Sequence, residues 1–133
     1  MNRKTFMIVA AAVSVVSGIA GLLAPAQLGA VFGVTFDDVG ASEARMAGAA
    51  YLGYAAIVWF AREVTDVATQ RAIALGNVVS WALSLAVLTT AVVTGLAGTA
   101  SWVLVAMAVI FTAAWGYFAV TIPGRLAVKV TAT

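Results

Sequence analysis

The chain has 133 residues, of which 64% are hydrophobic and 9% charged, with a formal net charge of +2. A soluble domain carries about 25% charged and 45–50% apolar residues, so neither a water-facing globular surface nor a disordered chain fits this composition. With no Cys and no His, disulfides, thiol redox chemistry, His-ligated metal or haem and imidazole acid–base catalysis are excluded.

What remains is an all-α integral membrane protein forming a single domain. Its charges are Arg3, Lys4, Arg45, Arg62, Arg71, Arg125 and Lys129 against Asp37, Asp38, Glu43, Glu63 and Asp66, which leaves the uncharged intervals 5–36, 46–61 and 72–124. At 1.5 Å per residue, about 20 residues cross a hydrocarbon core of about 30 Å. The pattern predicts a four-helix bundle with spans at about 5–24, 42–61, 70–93 and 102–122. Alternation suited to a β-barrel is absent, and the Ala/Leu/Val runs are too long for barrel strands.

In chain order, Arg3-Lys4, the apolar stretch and Ala24-Pro25-Ala26 have the outline of a secretory signal. The stretch exceeds the roughly 7–15 residues of a signal core, so it is read as a retained first span closed by Pro25. Residues 25–36 are too few to span; Leu28, Val31 and Phe32 share a helical face, which predicts a short interfacial helix. Ser42 and Ser101 are the expected N-caps of the second and fourth spans. The second span is the marginal one, and the run Thr94 to Thr99 turns the chain between the last two. Pro123-Gly124 ends the fourth.

Four spans put both termini and the 62–71 loop on one side, with six Lys and Arg; the other side has only Arg45. Cationic side chains favour the cytoplasmic face, so the expected topology is multi-pass with both termini cytoplasmic. Trp59, Phe60, Trp102, Trp115, Tyr117 and Phe118 fall near span ends, as an aromatic belt would. Trp81 lies near mid-span.

Each helix also has a face of small residues through which backbones could approach. Ser14, Ser17, Gly18 and Gly21 supply it on the first span, and Ala44 with Gly48 on the second. Ala72, Gly76, Ser80 and Ser84 form a row on the third, and Ala108, Thr112 and Gly116 one on the fourth. Such contacts could form within one protomer or between protomers.

No charge sits deep in a span. Arg45, about one turn into the second, is expected to snorkel to headgroups or to pair with Asp37 or Asp38 in a structural ion pair. In the inner loop, Arg62 and Asp66 are spaced to pair, Asp66 suits the start of the third span, and Arg125 and Lys129 would touch anionic lipid. Asn77 shares a face with Ser80 and Ser84 beside Trp81, either bonding a neighbouring helix or lining a polar pocket or narrow pore. Phosphate-binding loops, facing carboxylates, a base for a seryl nucleophile and a nucleic-acid-binding basic cluster are all missing. The expected function is therefore non-enzymatic action by helix association, as a homo-oligomer or an accessory subunit of a membrane complex: no metal, no cofactor, no nucleic acid, with membrane lipid and a second copy or another membrane protein as partners. The alternatives are a small channel or carrier for a neutral or weakly polar solute, and lipid or apolar-ligand binding between helices.

The run from Gly18 to Gly33, with Glu43 to Gly53 and Trp59 to Arg62, resembles small four-helix bacterial membrane proteins distantly similar to the DoxX group. The resemblance implies a four-helix bundle in a bacterial inner membrane with Arg45 and Gly48 at motif positions, and it lends no activity. Small multidrug exporters use a glutamate in the first span, which this chain lacks. Dual-topology fluoride channels carry the polar Asn on the second helix and near-balanced loop charges, unlike this chain.

Overall fold

The computed structural model describes residues 2–122, and among them every regular element is helical. Helix α1 runs Arg3–Leu23, α2 Pro25–Val31, α3 Asp38–Ala61, α4 Val67–Val93 and α5 Trp102–Thr121, the last preceded by a 3₁₀ turn at Thr99–Ser101. Pro123, Gly124, Arg125 and Lys129 lie outside the described residues.

Helix starts follow the side chains available to cap them. The Asn2 side chain accepts from the Thr5 N–H at 2.8 Å and opens α1. The second long helix begins earlier than expected, because Asp37 caps it by accepting from the Gly40 N–H at 2.7 Å. Ser42 is thus an interior residue rather than a cap. Asp66 caps α4 through the Thr69 N–H at 2.7 Å. Ser101 precedes α5 as expected, but its hydroxyl makes no cap bond and donates to the Phe32 carbonyl at 3.3 Å.

Helices α1, α4 and α5 (the last with its 3₁₀ turn) are long and apolar enough to cross a membrane. Helix α3, at 24 residues, is about 36 Å long. Glu43, Arg45, two tyrosines, Trp59 and its glycines dilute its apolar character, as the short uncharged interval foreshadowed.

The long helices form two antiparallel pairs, α1 with α3 and α4 with α5. In the first pair the backbones nearly touch. A Cβ on Gly48 would lie 2.5 Å from the Leu22 nitrogen and 2.8 Å from the Gly18 carbonyl oxygen, and one on Gly21 3.2 Å from the Ala44 oxygen. The small-residue faces of the first two spans are therefore spent inside the protomer. By contrast, a Cβ on Gly76 or Gly116 meets nothing within 4 Å.

The pairs meet through bulk at one end only. Near the Arg3 end, Phe6 sits 5.5, 5.0 and 5.3 Å from Phe111, Trp115 and Phe118 (ring centroids), and Trp81 stacks on Phe111 at 4.6 Å. Trp115 and Phe118, expected in an interfacial belt, are instead core residues, Trp115 being 1% exposed. Their size is what the space between two helix pairs demands, whereas Trp59, Phe60, Trp102 and Tyr117 do face outward.

Polar contacts close both ends. At the Arg3 end, Lys4 pairs with Glu63 at 2.7 Å, and the Arg3 guanidinium donates to the Val64 carbonyl at 2.9 Å. Bonding to Lys4, then its charge, holds the Glu63 carboxyl below the usual carboxylate range. Arg62 lies over the Trp59 ring and approaches Glu63 at 3.3 Å, while Asp66 serves α4 as its cap. At the other end α2 folds beneath the α4–α5 turn, where the Gly98 N–H donates to the Phe32 carbonyl at 2.8 Å. Gly33 makes this approach possible: its φ is +71°, and a Cβ there would lie 3.0 Å from the Gly98 Cα.

Two glycine substitutions should act with opposite sign. Gly48→Val would force α1 and α3 apart at an overpacking cost of about 1–3 kcal/mol or more. Gly76→Ala should stabilise by about 0.8–1 kcal/mol through helix propensity. Reversible unfolding in mixed detergent micelles checks both.

Candidate ligand cavity between the helix pairs

Where the aromatic layer stops, the space between the pairs is lined by short side chains and stays open. A cavity of about 450 Å³ lies there. Ser17 and Gly21 of α1, Ala44 and Ala47 of α3, Leu88 of α4 and Met107 of α5 form its walls, and α2 with Phe36 roofs it. Toward the middle of the helices it meets a groove of about 240 Å³ between α3 and α4, with Ala47 and Tyr51 common to both. The two make one slot that runs from the α2 end to Tyr54 and Ser80.

Size and lining restrict what can occupy it. Small-molecule pockets run about 300–1,000 Å³, so the cavity alone suffices for a ligand. Water is a poor filler, since a buried water needs two to four polar partners and the walls are almost wholly apolar. No Lys, Arg, Asp or Glu lines the slot among the described residues. Its lining is uncharged and mostly apolar.

The predicted polar residues divide at this slot. Ser80, Trp81 and Ser84 line the groove, as expected of a shared face. Asn77 is buried one turn away and turned toward α3, where its side-chain oxygen accepts from the Tyr54 hydroxyl and its NH₂ donates to the Ile73 carbonyl at 2.8 Å. The Trp115 indole N–H comes near the Tyr54 hydroxyl without meeting it in hydrogen-bonding geometry. Asn77 thus serves as a link between the helix pairs. Tyr54, its partner, carries no sequence signal of its own; only its spacing on the Ala47–Tyr51 face hints at it.

The expected ion pair of Arg45 with Asp37 or Asp38 is not present among the described residues. Asp37 is engaged as a cap, and Asp38, on the same face as Arg45, is seven residues and about 10 Å back along the axis. Arg45 is exposed, as a snorkelling side chain would be. Of the packing residues, Ser14, Gly18, Gly21 and Gly48 are buried and Ser17 half-buried, while Thr112 bonds back to the Ala108 carbonyl at 2.7 Å.

Fold and site together define an all-helical protein, apolar enough for a membrane, with an apolar slot between two helix pairs. The family match covers residues 8–126 and carries the description Domain of unknown function (DUF8292). The chain belongs to that family. No curated protein and no solved structure matches it, and no match joins it to the DoxX group.

The Tyr54–Asn77 bond should contribute modestly. A double-mutant cycle with Tyr54→Phe and Asn77→Leu is expected to give a coupling near 0.6 kcal/mol, the average for interhelical bonds in membranes, read from unfolding in mixed micelles.

Proposed function

We propose that this is a four-span membrane protein that works by binding, taking an apolar molecule from the bilayer into the slot between its helix pairs. Both termini and the Arg62–Arg71 loop face the cytoplasm, which the six-to-one distribution of Lys and Arg supports, and the resemblance to bacterial proteins favours the inner membrane. Helix α3 completes the bundle as the fourth span, its Arg45 reaching the outer headgroups. The observation that carries the binding reading is the concavity of about 450 Å³ between the helix pairs, open on one side and lined almost wholly by uncharged, apolar side chains. A pore for a polar solute has less support, because Asn77 is engaged with Tyr54 and the walls toward the α2 end offer few polar groups.

A second reading, association with another copy or a membrane-protein partner, rests on α4. Only 17% of its apolar window is buried, against 39% for α1 and 33% for α5 with its 3₁₀ turn. Its exposed face includes Ala72 and Gly76, which permit close backbone approach.

Filling the slot tests the first reading. Ala47→Phe, at the junction of cavity and groove, should reduce co-purifying lipid in native mass spectra and shrink the loss of Tm on delipidation. Unchanged lipid retention would overturn it. The chain has no cysteine, so Gly76→Cys in native membranes tests the second: oxidation should give disulfide-linked dimers in excess of a Val120→Cys control, and equal yields would count against α4 as a contact between copies.

A further inference from the structure

The slot has a polar stretch as well as an apolar one, and its unused hydroxyls narrow the chemistry of what it holds. Within the long helices, Ser14, Ser84, Thr90 and Thr112 each donate to the carbonyl four residues earlier, which is how a buried helix satisfies a hydroxyl internally. Ser17, Ser80 and Thr89 make no such bond among the described residues, and the Tyr51 hydroxyl has no hydrogen-bond partner there either. Three of these four line the slot: half-buried Ser17 in the cavity, Ser80 on the open side of the groove, and Tyr51, also exposed, where the two join. In hydrocarbon an unsatisfied O–H is unfavourable, because no water is present to replace the missing partner.

We propose that the slot holds a neutral lipid: an elongated apolar body that lies in the cavity, bearing a hydroxyl or carbonyl oxygen held between Ser80 and Tyr51. This assignment rests on the slot being a binding site and adds the class of ligand. The oxygen accepts from the free Ser80 and Tyr51 hydroxyls, and a ligand hydroxyl can donate in return to either oxygen. A plain hydrocarbon leaves both groups unpaired. An ionised headgroup is disfavoured, since no cationic side chain lines the slot among the described residues and burying an unpaired charge is costly. A phospholipid that lends only an acyl chain keeps its polar end at the membrane surface, away from these hydroxyls.

The test uses the full chain in phosphatidylcholine nanodiscs. Three brominated probes of equal chain length are titrated by mole fraction: a fatty alcohol, the matching hydrocarbon and the matching fatty acid in ionised form. The readout is saturable quenching of tryptophan fluorescence, Trp81 lying in the groove wall. The alcohol should bind about two- to twelvefold tighter than the hydrocarbon, the range of one neutral hydrogen bond, with the ionised acid weakest. Combining Ser80→Ala with Tyr51→Phe should erase that preference, making alcohol and hydrocarbon bind alike, with retained helicity as the folding control. Ala47→Phe should abolish saturable quenching by alcohol and hydrocarbon alike. Equal binding of alcohol and hydrocarbon by the unmodified chain, tighter binding of the acid, or a preference that survives the double substitution would each overturn the neutral-lipid assignment while leaving the slot a binding site. Absence of saturable quenching by all three probes would overturn the binding site itself.

Discussion

The backbone contact between α1 and α3 is the constraint from which the rest of the architecture follows. At Gly18, Gly21 and Gly48 the two helices approach until no Cβ fits between them. Toward the Arg3 end, the other pair is held off by a cluster of five large rings, Phe6, Trp81, Phe111, Trp115 and Phe118. Bulk at one end and small residues at the other give the space between the pairs a taper. The cavity is the wide part of that taper, so it arises from the packing itself rather than from any single residue.

Much of this architecture was legible in the chain. Charge spacing locates the four long helices within a few residues, because few charges interrupt them and, among the described residues, none lies in the middle of a helix. The short helix after Pro25 was readable for the same reason: the segment is too short to do anything else. Small-residue spacing correctly marked Gly18, Gly21 and Gly48 as contact positions. It also marked Gly76 and Gly116, where an added Cβ would meet nothing within 4 Å among the described residues, since spacing identifies where a backbone could approach without naming a neighbour.

The misreadings have one physical origin. When nearly every side chain is apolar, the alternation of polar and apolar faces that distinguishes inside from outside disappears. Trp115 and Phe118 could not be told from interfacial anchors, although they form the centre of the core. Capping failed differently: Ser42 and Asp37 are both good caps, and Asp37 prevails by starting α3 about a turn earlier. That choice also removes Asp37 as a counterion for Arg45. The candidate site was half visible. Ser80, Trp81 and Ser84 follow from one helix's spacing, whereas the cavity needs α1, α2, α3, α4 and α5 at once and is invisible to any reading of a single segment.

The Phe32 carbonyl ties the far end of the taper together. It accepts from the Gly98 N–H at 2.8 Å and from the Ser101 hydroxyl at 3.3 Å, so α2, which belongs to the first pair by sequence, is fastened to the second. Spreading the pairs at this end would strain both bonds together, whereas side chains along the α3–α4 seam can swing aside singly. The strap therefore couples the two helix pairs at this end through a single carbonyl, so that neither pair can swing away from the other without giving up both bonds at once.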